Sequence, residues 1–284
     1  MKYLAITPAR NELQFLPGLI DSLLHQSSLP ARWILIDDGS TDGTTDMVRQ
    51  LAQLHEWIEP VFLPDGGSRR PGGESVVMEQ LDAFGWREFD YIFRVDADVS
   101  FERGHVARLL EELEREPRLG IVSGTNYEPV GGAWIMCPEP GFQAAGNCRI
   151  YRRECLQAIG RIESGLGWDT IDITRALMLG YRTRNFRDLK IFHRRPMQTA
   201  NGRVQGRLNM GIAAYNAGYS PFFMAARSIR HAFAKPRMMG GALMMFGYLR
   251  QWAAGAPTLA TPELTRFVRR QQLRRLIGVN SVWR

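Results

Sequence analysis

Acidic residues occur at three places in the sequence where their type and spacing suit chemistry. The first is Asp37-Asp38-Gly39-Ser40, which directly follows the apolar run Trp33–Ile36. Carboxylates at the end of a strand can accept hydrogen bonds from a base N–H group or from ribose hydroxyls. The alternative is a solvated turn in which an aspartate caps the next helix.

The second place is Asp96-Ala97-Asp98, directly after the apolar run Tyr91–Val95. Side chains at i and i+2 point the same way if the strand continues through them. Mg²⁺ and Mn²⁺ prefer such oxygen ligands and can take their other ligands from a diphosphate, so the protein need not supply a full cage. A lone triplet of this type is a weak signal, but its position after an apolar strand favours a Mg²⁺ or Mn²⁺ site.

The third place is Gly167-Trp168-Asp169-Thr170-Ile171-Asp172, at the start of a predicted helix that Gly180 closes. The positive end of the helix dipole favours carboxylates in the first turn. Asp169 and Asp172 are therefore the third candidate for a functional acidic site. The alternative is that one of them, Asp172 in particular, only caps the helix.

The elements that must position these acids alternate between strands and helices, which predicts an α/β fold with a mixed sheet flanked by helices. Ligands of such open sheets bind outside the carboxyl ends of the strands. Two of the three acidic places follow predicted strands, so we expect them at that edge. The predicted strands are Tyr3–Ile6, Trp33–Ile36, Val61–Leu63, Tyr91–Val95 and 182–192, and the predicted helices are one from Asn11, then Thr45–Leu54, Val76–Trp86, Val106–Leu113 and Asp169–Leu179.

The charge distribution divides the chain near residue 199. Residues 201–284 contain 13 Lys or Arg and a single acid, Glu263, whereas the first 200 residues contain 23 basic and 28 acidic side chains. We therefore predict a catalytic α/β domain over residues 1–199 and a helical, basic extension over residues 200–284. Apolar residues interleaved with arginines across residues 219–275 are typical of helices that lie on an anionic membrane surface.

Two other interpretations of the basic extension remain. It could be a helical appendage with a solvated basic rim, or it could bind nucleic acid. No nucleic-acid-binding motif accompanies the charge, so we expect no nucleic-acid partner. The three cysteines, Cys137, Cys148 and Cys155, have neither zinc-site nor disulfide-framework spacing. Together with the lack of a signal-peptide pattern or a run of 18 apolar residues, this predicts a cytoplasmic protein, peripheral on the inner face of the membrane.

Four motifs taken together resemble family 2 of the glycosyltransferases, which have the GT-A fold, and in particular bacterial exopolysaccharide and O-antigen sugar transferases. The resemblance covers about residues 3–195, with the motifs in the family's order. The matching segments are Pro8-Ala9-Arg10-Asn11-Glu12, Asp37-Asp38-Gly39-Ser40-Thr41-Asp42-Gly43-Thr44, Asp96-Ala97-Asp98 as the DxD motif, and Trp168-Asp169, which stands at the family's usual distance before Gly180-Tyr181-Arg182.

The resemblance implies a role for each matching residue. Asp169 would be the general base, Asp98 and His193 would hold the Mg²⁺ or Mn²⁺ ion, and Trp168 and Asp172 would face the acceptor. Trp168 departs from the family's usual glutamate. The loop Gly66–Gly73 lacks the family's common Asn-x-Gly pattern, so Arg69 and Arg70 are only weak candidates for binding the diphosphate. The residues implied for nucleotide-sugar binding are Pro8, Arg10, Asn11, Glu12, Asp37, Asp38 and Asp96.

The function implied is inverting transfer of a sugar from a nucleotide-diphosphate donor to a hydroxyl of a lipid-linked saccharide, in the synthesis of a cell-surface polysaccharide. The Met- and Gly-rich segment Pro236–Leu249 resembles a segment of such relatives. One alternative acceptor is polyprenyl monophosphate, which is already ionised and would need little help from Asp169. Two other classes are a sugar nucleotidyltransferase and a non-catalytic nucleotide-sugar sensor.

Overall fold

The structure is a computed structural model that describes residues 1–65, 74–195, 202–232 and 239–283. The chain forms two compact units. The first unit comprises residues 1–162 and 180–195, and the second comprises residues 163–179 and 196–284. The boundary predicted at residue 199 lies outside the described residues, and the segment that carries Asp169 groups with the second unit.

The first unit is built on one mixed sheet, in which nine strands are found among the described residues. The strands are β1 (Tyr3–Ala9), β2 (Arg32–Asp37), β3 (Ile58–Phe62), β4 (Tyr91–Val95), β5 (Val99–Phe101), β6 (Leu119–Val130), β7 (Ala133–Met136), β8 (Cys148–Arg152) and β9 (Arg182–His193). Their order across the sheet is β3-β2-β1-β4-β8-β6-β9-β5, with β7 paired to β6. The sheet and its helices confirm the predicted α/β class.

Strand direction decides which residues meet at one edge of the sheet. The strands β3, β2, β1 and β4 are parallel, so the residues after Ala9, Asp37 and Val95 lie at the same carboxyl edge. Strand β8 runs antiparallel to β4, with Cys148 opposite Val95. The residues just before β8 therefore lie at the edge where β4 ends.

Amphipathic helices cover the sheet of the first unit. Helix α4 buries Val106, Leu109, Leu110 and Leu113, which confirms the predicted stripe. Burial of each such side chain contributes about 1.5–3 kcal/mol. The helices of this unit are α1 (Leu16–Leu24), α2 (Thr44–Leu54), α3 (Glu74–Ala83), α4 (His105–Arg115) and α5 (Arg153–Ile159).

The prediction that α1 begins at Asn11 was wrong, because this helix begins at Leu16. Asn11 adopts a left-handed conformation with φ of 54°. This conformation is tolerated by asparagine in turns but does not continue a right-handed helix. Residues 10–13 form a loop instead, in which the N–H groups of residues 11–13 donate to side chains of the segment 40–44.

The second unit is helical in its described part, as predicted for the basic extension. Its helices are α6 (Trp168–Met178), α7 (Gly202–Asn216), α8 (Pro221–Ala232), α9 (Met239–Ala253) and α10 (Pro262–Leu276). Helices α7 and α9 pack backbone to backbone, because a Cβ atom at Gly211 would lie 2.0 Å from the carbonyl oxygen of Met244. A Cβ atom at Gly247 would lie 2.3 Å from the carbonyl oxygen of Leu208. None of the described helices is long and apolar enough to cross a membrane.

Candidate functional site

The loops that follow β1 and β2 are joined by hydrogen bonds. The main-chain N–H of Asn11 donates to Ser40 Oγ at 2.9 Å, and the N–H of Thr41 donates to Asn11 Oδ1 at 2.8 Å. The buried N–H of Glu12 donates to Thr44 Oγ1 at 3.0 Å. These bonds fix both loops at the carboxyl edge before any ligand arrives, which lowers the entropy that binding would cost.

Asp37 makes its hydrogen bonds through its carboxylate, whereas Asp38 is held through its main chain. Both oxygens of the buried Asp37 carboxylate are used within its own turn, since they accept from the Ser40 N–H at 3.0 Å and from the Thr45 hydroxyl. Asp38 is held through its main chain, where its N–H donates to the Ala9 carbonyl at 2.9 Å and its carbonyl accepts from Arg10. Asp37 therefore shapes the turn that presents Asp38.

The first motif contributes ion pairs that tie distant segments to this edge. Arg10 Nη2 lies 2.7 Å from Asp65 Oδ1. Glu12 is only 1% exposed, and its Oε2 accepts from Arg195 Nη2 at 2.7 Å. Pro8 is half-buried within β1, opposite Ile36. Because a buried carboxylate without a partner is costly, the Glu12–Arg195 pair fixes the position of both residues.

The two aspartates of the DxD motif have different neighbours. Strand β4 ends at Val95, so no continuing strand aligns the two carboxylates. Asp96 Oδ1 lies 3.0 Å from Arg94 Nη1, and the Asp96 N–H donates to the Asn147 carbonyl at 2.8 Å. Asp98 Oδ2 lies 3.4 Å from His193 Nε2. The motif therefore presents one carboxylate beside an arginine and one beside a histidine.

His193 is buried between carboxylates at the end of β9. Its Nδ1 lies 3.9 Å from Glu128 Oε1, on the side opposite Asp98. Burial lowers the pKa of His193, but the Asp98 and Glu128 carboxylates, together with Asp96, outweigh burial and raise this pKa to about 9. The position thus favours positive charge, whether as a proton on His193 or as a bound cation.

Asp98 and His193 fit a divalent cation that takes further ligands from its substrate. The described residues contain no group of three or more His, Cys, Asp or Glu side chains that could enclose a metal ion. Mg²⁺ and Mn²⁺ are commonly held by one or two protein side chains, with water and phosphate oxygens completing the shell. A carboxylate and an imidazole at 3.4 Å provide that partial set.

The remaining predicted residues lie in the second unit, at the start of α6. Trp168 and Asp169 occupy the first turn, where the helix dipole stabilises a carboxylate. Gly167 precedes them with φ of 99°, and a Cβ atom there would lie 2.6 Å from the Ala213 carbonyl oxygen. Asp172 is buried, and its Oδ1 accepts from the Ile173 N–H at 2.6 Å.

The structure thus brings the predicted first-unit residues together at one edge of the sheet and assigns Trp168, Asp169 and Asp172 to the second unit. Arg69 and Arg70 lie outside the described residues. The sequence interpretation missed Glu128, Asn147 and Arg195, which come to this edge from β6, the loop before β8, and the end of β9. No spacing motif marks them, although Arg195 follows His193 by two residues.

Residues 4–160, more than half of the chain, match the model of the family described as Glycosyl transferase family 2. This range contains the first three of the four motifs and ends before Asp169.

Two named bacterial relatives each align with a little over a third of the chain. The teichuronic acid biosynthesis glycosyltransferase TuaG of Bacillus subtilis is 28% identical over 106 residues, which are 37% of this chain and 39% of TuaG. The succinoglycan biosynthesis protein ExoA of Rhizobium meliloti is 29% identical over 110 residues, 38% of this chain and 32% of ExoA. The chain thus matches less than half the length of either relative.

Solved structures with the same fold cover nearly the whole chain. The mannosyltransferase PcManGT from Pyrobaculum calidifontis, in complex with GDP-Man and Mn²⁺, superposes with a TM-score of 0.58 at 18% identity, over 96% of this chain and 80% of that one. S. aureus TarS 1–349 in complex with UDP-GlcNAc gives 0.56 at 15% identity, over 90% and 74% of the two chains. At such identities the likeness concerns the fold, which is the GT-A fold predicted from the motifs.

Proposed function

The chain belongs to glycosyltransferase family 2, and from that premise we propose that it moves a sugar from a nucleotide-diphosphate donor to a hydroxyl of a lipid-linked saccharide. The product would be an intermediate of a cell-surface polysaccharide. TuaG and ExoA, named for teichuronic acid and succinoglycan biosynthesis, support this setting.

The observation that carries the proposal is the arrangement around the DxD motif. Asp96 and Asp98 directly follow a buried parallel strand, and Asp98 lies 3.4 Å from the buried His193. A carboxylate and an imidazole at the carboxyl edge of such a sheet suit a nucleoside diphosphate with its divalent cation. The neighbours PcManGT and TarS were solved with GDP-Man and Mn²⁺ and with UDP-GlcNAc, which supports a donor of this chemical class.

The donor's parts are assigned to residues of the first unit. Asp38, presented by the interlocked loops at residues 10–13 and 38–44, would accept hydrogen bonds from the base or ribose. Asp96 would lie at the ribose and diphosphate. Asp98 and His193 would hold Mg²⁺ or Mn²⁺, which when bound supplies positive charge to the leaving diphosphate. Arg195, paired with Glu12 and 3.8 Å from Asp98, would keep these carboxylates in place.

The reaction proposed is a single displacement with inversion. The acceptor oxygen forms a bond to the anomeric carbon while the bond from that carbon to the phosphate oxygen breaks. The electron pair of the broken bond leaves with the nucleoside diphosphate. Asp169 takes the proton of the acceptor hydroxyl, a role worth about 10²–10⁴-fold in rate. Trp168 and Asp172 are assigned to the acceptor side, and the buried Asp172 would act by shaping that side rather than by contact with bulk solvent.

The second unit supports a lipid-linked acceptor at an anionic membrane surface. Helix α8 exposes Phe222 and Ile229, two turns apart on one face. Helix α10 exposes Arg266, Arg269, Arg270 and Arg275. Exposed apolar side chains and exposed arginines within one unit match the chemistry of an interface that contains anionic lipid headgroups. We place the protein on the cytoplasmic face of the membrane, where nucleotide sugars are made, and we propose no nucleic-acid partner.

Transfer to polyprenyl monophosphate is the second candidate, since that acceptor needs no general base. The nucleotidyltransferase alternative has no support from the family to which the chain belongs. A non-catalytic sensor would bind the donor without consuming it.

A transfer assay on the full chain separates these possibilities. Purified protein with Mn²⁺ is offered UDP-, GDP- and dTDP-sugars, with and without lipids extracted from polysaccharide-producing bacteria, and the release of nucleoside diphosphate is followed. For one donor we expect release of nucleoside diphosphate that depends on the lipid, with the sugar recovered in the lipid fraction. NMR of that product should show an anomeric configuration inverted relative to the donor. Transfer of the sugar to polyprenyl monophosphate, and to no other lipid, would favour the second candidate. Binding of donor without release under any condition would contradict the proposed transfer.

A further inference from the structure

Asn147 is an anomaly of the first unit, at the edge where the donor is proposed to bind. The residue is only 9% exposed, and neither Oδ1 nor Nδ2 of its side chain has a hydrogen-bond partner among the described residues. An unpaired buried amide typically costs about 1–3 kcal/mol, so such groups are rare and call for a physical reason.

The main chain around Asn147 is held rigidly, so the amide is not unpaired because the loop is loose. Arg149, itself fully buried, donates from Nη2 to the Ala144 carbonyl at 2.7 Å and from Nε to the Ala145 carbonyl at 2.9 Å. Arg94 donates to the Gly146 carbonyl. The fourth carbonyl in succession, that of Asn147, accepts from the Asp96 N–H at 2.8 Å. Every carbonyl of residues 144–147 is thus satisfied, while the Asn147 side chain is not.

The order of the strands indicates that Asn147 lies on the far side of the diphosphate site from the base site. The sheet order runs β2, β1, β4, β8. Asp38 follows β2, Asp96 and Asp98 follow β4, and Asn147 immediately precedes the antiparallel β8. Neighbouring strands are about 4.8 Å apart. A donor with its base at Asp38 and its diphosphate at Asp96 therefore extends its sugar towards β8.

The chemistry of the amide agrees with that position. A carboxamide offers one acceptor and two donor hydrogens without net charge. A phosphate oxygen can satisfy only the donor half, whereas sugar hydroxyls both donate and accept. Resting on the function proposed above, we infer that Asn147 is a specificity-determining residue whose amide hydrogen-bonds the hydroxyls of the donor's sugar.

The test compares a nucleoside diphosphate with its sugar nucleotide on the same protein. Full-length wild type and Asn147→Leu are titrated calorimetrically, in Mn²⁺, with UDP and UDP-GlcNAc and with GDP and GDP-mannose. Leucine keeps the branching and number of side-chain heavy atoms but removes the polar atoms. We expect the affinity for the diphosphate to be unchanged and the affinity for the matching sugar nucleotide to fall about tenfold, the scale of one or two hydrogen bonds.

The melting temperature distinguishes a ligand-binding role of Asn147 from a merely structural one. Removing an unpaired buried amide should leave the melting temperature of the free protein unchanged or raise it. The matched control is Asn185→Leu, because the Asn185 amide is buried and bonded, accepting from Thr125 Oγ1 and donating to the Gln143 carbonyl at 3.2 Å. This control should lower the melting temperature and leave the ratio of the two affinities as in wild type. Asn147→Ala serves as a second variant if leucine impairs folding.

The outcomes separate the inference from the function on which it rests. If wild type binds a diphosphate and Asn147→Leu keeps the wild-type ratio of affinities, the inference is overturned and the proposed function stands. A lowered melting temperature with an unchanged ratio also overturns it, since Asn147 would then be structural. If wild type binds none of the four ligands, nor dTDP, the proposed function itself fails.

Discussion

In the first unit Glu12, Asp98 and His193 lie buried and paired at the carboxyl edge of the sheet, whereas in the second unit most arginines of α10 are exposed. Glu12 is held by Arg195, and Asp98 lies beside His193. On α10, Arg266, Arg270 and Arg275 face solvent. Buried pairs hold one geometry because a charge that loses its partner is strongly penalised, while exposed charges are screened and tolerant of geometry.

The two units therefore differ in the kind of partner that they can bind. A site of buried, fixed groups recognises a small ligand with a defined shape, and a surface of exposed arginines and apolar side chains suits a partner that is charged but not ordered, such as a lipid surface. Changes in one unit should therefore leave the other unit's binding intact. The following experiments test that separation.

The largest effect is expected from Asp169→Asn in the second unit. Transfer should fall by about 10²–10⁴-fold because the general base is lost, while diphosphate binding, which belongs to the first unit, should be unchanged. Single-turnover transfer and calorimetric titration measure the two quantities. Glu263→Gln is the matched control, since Glu263 is also an acid in the first turn of a second-unit helix and should be dispensable. Full transfer by Asp169→Asn would remove Asp169 from the mechanism.

The next largest effect concerns lipid binding by α8. Phe222 is 82% exposed, and the double change Phe222→Ser with Ile229→Ser removes two exposed apolar groups from one face. Since burying each group is worth up to about 1.5–3 kcal/mol, partitioning to phosphatidylglycerol-containing vesicles should fall at least tenfold. Partitioning is measured by sedimentation of the vesicles, and Trp134→Ser, on β7 of the first unit, should have no effect on it. Equal vesicle binding by wild type and both variants would indicate that the second unit is only a helical appendage.

Packing of the second unit can be loosened without touching the first. Gly247→Ala puts a Cβ atom 2.3 Å from the Leu208 carbonyl, so α7 and α9 must separate. We expect a loss of about 1–3 kcal/mol in the free energy of unfolding, as for overpacked cores. Gly240→Ala, on the same helix, meets nothing closer than 3.4 Å and should cost nothing. Urea unfolding compares the two, and diphosphate binding in the folded baseline should be equal for both.

The smallest expected effect, over a change of one pH unit, is an acid sensitivity of the first unit. Burial lowers the pKa of His105 from 6.5 to about 3. As the pH falls below 6.5 the unfolded chain binds a proton at this residue and the folded chain does not, so stability is lost by up to about 1.4 kcal/mol per pH unit until about pH 3. His105→Gln should show a shallower loss between pH 7 and 5 in urea unfolding. Identical slopes for both proteins would contradict the assignment.

Local patterns in the sequence predicted much of the fold, because periodicity records which face of an element is buried. Strand β4 was predicted with its observed bounds, and the stripe of α4 is buried as expected. The Gly-rich stretch after Gly120 shows no clear periodicity in the sequence, yet it contains most of the 12-residue strand β6. That strand is defined by pairing with β8 and β9, partners that lie far away in the sequence and leave no local pattern.

The same physical limit applies to the site. Carboxylates at strand ends were visible because the strand and the acid are adjacent in the sequence. The residues that hold them were not, since Arg195 reaches Glu12 across 183 positions. Asn147 reaches Asp96 only through the pairing of β8 with β4.

The most direct test of the account is thermal stabilisation of the purified protein by UDP, GDP, dTDP and ADP, each with and without Mn²⁺. A ligand that binds only the folded state at 100 times its Kd adds about 2.7 kcal/mol of stability. A protein that holds its cation on Asp98 should be stabilised strongly by one diphosphate, and only with Mn²⁺. Asp98→Ala should abolish the effect, and Asp46→Ala, which removes an exposed acid on α2, should not. Stabilisation by anionic vesicles but by no diphosphate, with or without metal, would contradict this account.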